Sequence, residues 1–443
     1  MELIHVIKEL LEQKKYATVR DILLEMHPAD VAQMFEDMDK REISLLFRLM
    51  PKEQAAETFV ELEADNQEAL IKAFSDNELK EVLDELYLDD AVDIVEEMPA
   101  NVVRRILQNT DEATRKMINQ ILKYPKDSAG SIMTIEYVNL KENMTVADAF
   151  QTIRRTGIDK ETIYSCYVTD QNRYLKGIVS AKWLLLSEND ALISDIMDED
   201  VISVLTTDDR EEAAQKLQMY DLLAMPVVDH ENRLVGIITI DDAIDVIEQE
   251  ATEDIEMMAA ITPTDKPYLK TGVFETWWKR IPWLLLLMIS ATFTSVIINR
   301  YDTALATLGL AAFMPMLMGT GGNAGSQASV AVIRALSLGE VEMGDILRIV
   351  WKELRVSILC GVTMAVATFG KLLLIDRPTT MTAVVVSLTL VATIVTAKLV
   401  GCILPVLAKR VGFDPAVMAS PFITTIVDAL SLIIYFDIAT AIL

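Results

Sequence analysis

The chain is short of the residues on which most enzymes and secreted proteins depend. Its 443 residues include only three cysteines and three histidines. Cys166, Cys360 and Cys402 lie far apart, which gives neither a disulfide framework nor a zinc spacing. His5, His27 and His230 fall outside the apolar stretches and in no HExxH pattern, so a membrane metalloprotease would have no zinc site. No Walker motif and no GxSxG occurs, which leaves ATP-driven pumping and serine hydrolysis without a site. No enzymatic activity is expected. The amino terminus, MELIHVIKELLEQKK, is amphipathic and charged, unlike a cleavable signal peptide, so the front of the chain is expected in the cytosol.

Basic residues are scarce as well, and the deficit is unevenly placed. The formal charge is −27. From Val273 onward there are 12 Lys and Arg against 10 Asp and Glu, whereas 28 basic residues face 57 acidic ones before it. An acidic front is thus fused to a nearly neutral, apolar back. The front should repel nucleic acid and anionic headgroups and attract cations.

Residues 1–128 read as short amphipathic helices with polar turns. HPADVAQMF (27–35) resembles LDDAVDIVEEMPANVVRRIL (88–107), and MPKEQAAETF (50–59) echoes its MP start. Such repetition suggests a superhelix built by neighbour stacking. From Ala129 the pattern becomes a β-rich tandem repeat. TIYSCYVTDQNRYLKGIVSAKWLL (162–185) reappears as LLAMPVVDHENRLVGIITIDDAI (222–244), with Asp170 matching Asp229 and Gly177 matching Gly236. Each copy offers a strand, an Asn-containing turn, a glycine-bearing second strand and a helix, preceded by IM at 132–133 or 196–197. This arrangement resembles a tandem pair of CBS domains, over 129–190 and 191–244. A helix dense in acids follows over 241–260, closed by Pro263 and Pro267, and Trp277, Trp278, Lys279 and Arg280 mark a membrane interface.

The region 273–443 contains five apolar segments of spanning length, near 281–298, 303–335, 356–375, 381–408 and 415–441. Lys279, Arg280, Arg334, Arg348, Lys352, Arg355, Lys409 and Arg410 gather on one side, which places the amino terminus inside and the carboxyl end outside. The second segment is interrupted by Pro315, Gly319, Gly321, Gly322, Asn323 and Gly325. Irregular backbone at membrane depth needs protein or a water-filled cavity around it, as in the broken helices of transporters. Close helix packing by small residues is the other reading. Asp428 lies near the middle of the last span, where a carboxylate usually marks an ion route. A buried protonated Asp, or a partner for Lys398, would be the structural alternatives. Two copies of Asp428 across a dimer axis would form an acidic ring suited to a Mg²⁺ ion that keeps much of its water.

Taken together, the acidic helical front, tandem CBS domains, acidic connecting helix (245–272) and five spans resemble the MgtE family of magnesium channels. GTGGNAGSQ (319–327) and DPAVMASPFITTIVD (414–428) look like its membrane signatures. The resemblance covers essentially the whole chain. It implies a multidomain homodimer in the bacterial cytoplasmic membrane, with an all-α N domain, α/β CBS domains, a plug helix and a five-helix α bundle. It implies that Asp428 is the pore carboxylate, with Gly319, Gly321, Gly322 and Asn323 beside it. It also implies that cytosolic Mg²⁺ closes the pore through sensor acids. Those are Glu57, Asp89, Asp90 and Asp93 in the helical domain, Asp209, Glu211 and Asp221 in the CBS pair, and Asp242, Asp245, Glu250, Glu253 and Asp254 in the connecting helix. In the first copy, Trp183 replaces the acid that grips ribose in nucleotide-binding CBS domains. The second copy keeps Thr239 and Asp242, but the sensor also claims Asp242, so ATP is a weaker expectation. The alternative is a secondary transporter of another divalent cation, Co²⁺ or Mn²⁺, on the same scaffold.

Overall fold

The computed structural model describes all residues except Met1, Asp265, Pro267, 302–309, Ala419 and Leu443. Pro267 and the start of the second expected span therefore lie outside the described residues. The chain divides into two compact units, Met1–Ile247 and Glu248–Leu443.

The first unit opens with ten short helices: α1 (Glu2–Glu12), α2 (Tyr16–Glu25), α3 (Pro28–Glu36), α4 (Lys40–Phe47), α5 (Lys52–Val60), α6 (Ala64–Ala73), α7 (Asp76–Leu83), α8 (Leu88–Glu97), α9 (Ala100–Asn109) and α10 (Glu112–Ile121). The repeated prolines set their starts. Pro51 and Pro99 are the N-caps of α5 and α9, and Pro28 opens α3 behind His27. A proline there gives up only an N–H that has no helical partner. Ser75 and Glu78 cap α7 reciprocally. None of these helices could bury its apolar stripe alone. Val31, Phe35, Leu46, Phe59, Leu70, Leu79, Val92 and Ile106 close into one continuous core.

Two copies of one small α/β module follow. In the first, β1 (Tyr137–Leu140) pairs in parallel with β2 (Thr162–Thr169), which pairs antiparallel with β3 (Leu175–Ser180). Helices α11 (Val146–Thr156), α12 (Ala181–Leu186) and α13 (Ile193–Ile196) accompany this sheet. In the second, β4 (Val204–Leu205), β5 (Ala224–Val228) and β6 (Leu234–Thr239) repeat the same order, with α14 (Arg210–Met219) and the start of α15 (Ile240–Met258).

The segments that precede the modules are exchanged between them. Thr134 and Ile237 bond to each other through both backbone groups, and Ile178 and Asp198 do the same. Met133 packs on Gly236 and Met197 on Gly177, where an added Cβ would meet sulfur at 2.8 Å in each case. The Met133 segment, which the sequence groups with the first copy, therefore packs into the core of the second. Each segment covers the outer edge of the other module's sheet, a row of backbone groups that would otherwise be open.

Among the described residues, the second unit takes the rest of α15 and five long helices: α16 (Val273–Arg300), α17 (Met314–Ser337), α18 (Ile346–Lys371), α19 (Thr380–Val411) and α20 (Ser420–Ile442). Among the described residues, Val273–Arg300, Met343–Asp376, Thr380–Val411 and Pro415–Ile442 are long and apolar enough to cross a membrane. The sequence reading expected five such segments. Over its described part the second is α17, which is helical but whose apolar residues are interrupted by glycines, serines, Asn323 and Gln327. Nor is α17 broken, as the glycine run had suggested. It continues through that run because the glycines let backbones meet: a Cβ on Gly401 of α19 would stand 2.3 Å from the carbonyl oxygen of Gly325. Tight packing accounts for Gly325, and also for Gly321, which abuts Thr393 and Ser431.

Candidate divalent-cation sites

In α8 the sequence LDDAVDIVEE puts Leu88, Ala91, Val92, Ile94 and Val95 into the core. Asp89, Asp90 and Asp93 are left along one edge, since residues three and four apart are helix neighbours. Asp89 is only 8% exposed. Facing this edge are Glu136, just before β1, and Glu161, just before β2. The two are held together because Glu161 N donates to the Glu136 carbonyl at 2.9 Å. Asp89, Glu136 and Glu161 each bring a carboxylate oxygen to within 4.8 Å of the other two. Glu136 Oε2 also accepts from Leu88 N at 3.3 Å, one of the first-turn donors a helix cannot satisfy itself. Asp242 accepts from Thr239 Oγ1 at 2.6 Å.

Burial and mutual repulsion push five of these carboxyls, Asp89, Asp90, Asp93, Glu161 and Asp242, upward. Asp89 lies well above the carboxylate range, chiefly through burial and then through Asp242 and Asp90. Burial, reinforced by Asp242, raises Asp90 and Asp93 each to about 7. Glu161 reaches about 8, again through burial first and then Asp241. Burial takes Asp242 to about 6 although the Thr239 hydrogen bond favours its ionised form. The donor set suits a hard cation such as Mg²⁺, which takes carboxylate and water oxygens. One observation points the same way: Glu161 Oε2 is buried and accepts no hydrogen bond.

Among the described residues, the remaining expected sensor acids lie outside this carboxylate group. Glu57, Asp221 and Asp245 are exposed, with Asp221 in a left-handed turn at φ 52°. Asp209 caps α14 by accepting from Glu211 N at 2.8 Å, and Glu211 accepts from Gln215 at 3.0 Å. Glu250 and Glu253 are half-buried on α15. Asp254 accepts from Ser337 Oγ at 3.0 Å, and burial, with Asp414 nearby, raises its carboxyl. Sequence reasoning missed Glu136, Glu161, Asp241 and Asp414. Glu136 and Glu161 stand one residue before the Tyr137–Thr162 pair of a parallel ladder. Only that register could have brought them together.

In the second unit, Asp428 lies on α20 one turn after Thr424, which packs against Gly322 of α17. Gly319 and Asn323 are on the exposed face of α17, whereas Gly321 and Gly322 face neighbouring helices of the same chain. Lys398 does not serve Asp428. Its Nζ is 3.7 Å from Glu353 Oε2 of α18.

Family models match this architecture in order: the MgtE intracellular N domain over 26–127, the CBS domain over 129–182 and 193–249, and the MgtE divalent cation transporter over 314–438. The magnesium transporter MgtE of Thermus thermophilus is 36% identical over 442 residues, spanning 99% of this chain and 98% of its own. This chain belongs to the MgtE family of magnesium transporters. MgtE of Bacillus subtilis is 33% identical over 449 residues, covering 99% and 97%. A crystal structure of the soluble part of a magnesium transporter is similar at 32% identity and a TM-score of 0.53, covering 56% of this chain and 98% of that one. The cytosolic domain of the Mg²⁺ channel MgtE, solved in complex with ATP, is similar at 35% identity and a TM-score of 0.53, covering 55% and 99%. The helical front, tandem CBS modules and apolar helical back expected from the sequence are thus those of this MgtE-family chain.

Proposed function

We propose that this chain is a homodimeric Mg²⁺ channel of the cytoplasmic membrane whose cytosolic part senses Mg²⁺ and closes the pore when it is abundant. One observation carries the sensing half: like-charged carboxylates of α8 and the CBS pair, Asp89 buried and Glu136 and Glu161 half-buried, are held against one another. Without a cation such a cluster favours separation of its parts. A bound divalent ion offsets the repulsion and favours the compact arrangement. The resulting population shift equals the ion's differential affinity for the two states, so several ions at about 1–3 kcal/mol each suffice for a switch.

For the pore half, Asp428 of each protomer meets hydrated Mg²⁺ at the subunit interface, next to the exposed Gly319–Asn323 face of α17. A second copy would also cover the apolar surface that the CBS modules expose, at Ile158, Tyr164, Trp183, Leu185, Leu186 and Met219. The cluster of Arg334, Arg348, Lys352, Arg355, Lys409 and Arg410 on one side of the spans supports an orientation with the cytosolic unit inside and the carboxyl end outside. The relative solved with ATP supports a nucleotide in the CBS pair, with Thr239 and Asp242 as its contacts in the second module.

Mg²⁺ uptake into proteoliposomes, with internal Mg²⁺ varied, tests both halves. Wild-type uptake should shut off as internal Mg²⁺ rises, and Asp428→Ala should abolish it. Robust flux through Asp428→Ala would move the ion site elsewhere. Flux of Co²⁺ or Mn²⁺ but not Mg²⁺ would leave the scaffold with a different cargo.

A further inference from the structure

The charge of the chain changes sign abruptly where the connecting helix ends. No Lys or Arg occurs between Arg233 and Lys266, and eight acids fall from Asp241 through Glu256. Four bases and one acid then follow from Lys266 to Arg280. The same short stretch carries apolar side chains that nothing in the chain covers. Leu269 is 93% and Phe274 86% exposed, and Tyr268, Val273, Trp277 and Trp278 are exposed beside them. We propose that Tyr268–Arg280 docks on the headgroup layer of an anionic leaflet, so that the protein meets lipid well before its first apolar segment at 281–298. This inference rests on the membrane placement and orientation given above.

Hydrogen bonds hold this segment at the level of the first turns of α16. Thr262 N donates to the Lys279 carbonyl at 3.2 Å, and Lys279 Nζ donates to the Pro263 carbonyl at 2.7 Å. Lys266 Nζ lies 3.1 Å from Glu275 Oε2, while Thr264 N donates to Glu256 Oε2 of α15 at 2.9 Å. The chain between the two helices is therefore folded back along α16, and the far end of α15 is tied to it. Val273 and Phe274 are the first residues of α16, and Trp277 and Trp278 follow one turn later with ring centroids 5.8 Å apart. Tryptophan and tyrosine favour the headgroup level because one end of the ring is apolar and the other wet. The patch is thus continuous with a helix that is itself long and apolar enough to cross a membrane. Exposed aromatic and aliphatic side chains among bases are what an interfacial segment needs. Apolar burial supplies the binding, and the bases favour anionic lipid. Lys279 is engaged with Pro263 and Lys266 with Glu275. Arg280 is exposed, with no acid against it among the described residues, and is the base that a phosphate headgroup can meet.

The test puts a fluorophore at Leu269→Cys in the full-length protein, reconstituted into bilayers, with Cys360→Ala removing the half-buried native thiol. Leu269 is so exposed that the label disturbs no packing. The same label at Leu223→Cys, an exposed apolar position just before β5, reports on water. Spin-labelled lipid quenches a probe in the headgroup layer, and iodide quenches one in water. In phosphatidylcholine bilayers, lipid should quench Leu269→Cys several-fold more than Leu223→Cys, and iodide the reverse. Replacing about a third of the lipid by phosphatidylglycerol should strengthen the lipid quenching, and Arg280→Gln should cut that gain about fivefold, the loss expected for one base near an anionic surface. Equal iodide quenching at both positions would overturn the proposal, with the segment in water. Protection of Leu269→Cys from both quenchers would overturn it too, with a second copy of the chain as the cover. Lipid quenching indifferent to lipid charge would overturn the anionic preference. Quenching needs no transport, so a protein that moves no Mg²⁺ would sink the channel reading and leave the docked segment standing.

Discussion

Lys398 and Glu353 form an ion pair inside the helical bundle, and its removal can be worked through from the structure. Their side chains are 7% and 13% exposed, with Nζ and Oε2 3.7 Å apart. At an effective dielectric near 20 the attraction is about 4 kcal/mol. Withdrawing each ion from water costs several kcal/mol, so the intact pair contributes little net stability. Breaking it is different, because one charge is then stranded. Lys398→Met or Glu353→Leu alone should destabilise by about 3–5 kcal/mol, and the double variant by far less. In a unit of this size that means losing on the order of 10 °C of melting temperature in each single variant and recovering most of it in the double. Thermal unfolding of the full-length protein in detergent, read as the fraction still monodisperse, measures all four proteins. Equal melting of the singles and the double would refute the reasoning, since the two charges would then not depend on each other.

Two further outcomes follow from local geometry. Gly401→Ala should push α17 and α19 apart at Gly325 and cost about 1–3 kcal/mol, as overpacking does, whereas Gly319→Ala, with nothing within 4 Å, should melt like wild type. In the helical domain, the hydrogen bond from Arg48 holds Glu78 down at about 2, helped by the Ser75 backbone. A depressed carboxyl adds stability above its unfolded value and loses it as pH falls toward the folded one, so the contribution should fade between about pH 4.5 and 2. The pair is largely exposed and is worth only about 0.2–1 kcal/mol, so melting curves of Glu78→Gln and wild type should converge at low pH and separate slightly above it.

What could be read from the sequence was whatever lay close along the chain. The acids of α8 announced themselves by helical spacing, and the two modules by their repeated strand, turn and strand. Asp428 stood out as a lone carboxylate in an apolar run. What escaped was set by register and by tertiary choice. Glu136 and Glu161 meet only because β1 and β2 run parallel in one alignment. Lys398 had Asp428 as an expected partner, but α18 brought Glu353 to it. The glycines of α17 are equally compatible with a broken helix and a tightly packed one, and the nearness of α19 decided for packing. No local pattern could show that Met133 belongs with Gly236 rather than with the strands that follow it.

That exchange of segments governs how the protein is made. As the chain leaves the ribosome, the first module emerges with the outer edge of β3 bare, and it stays bare until Asp198 arrives about twenty residues later. The segment around Thr134, already synthesised, has no place to dock until β6 is complete. Neither half can finish folding before the other, and a proteolytic cut between them would leave two fragments still clasped.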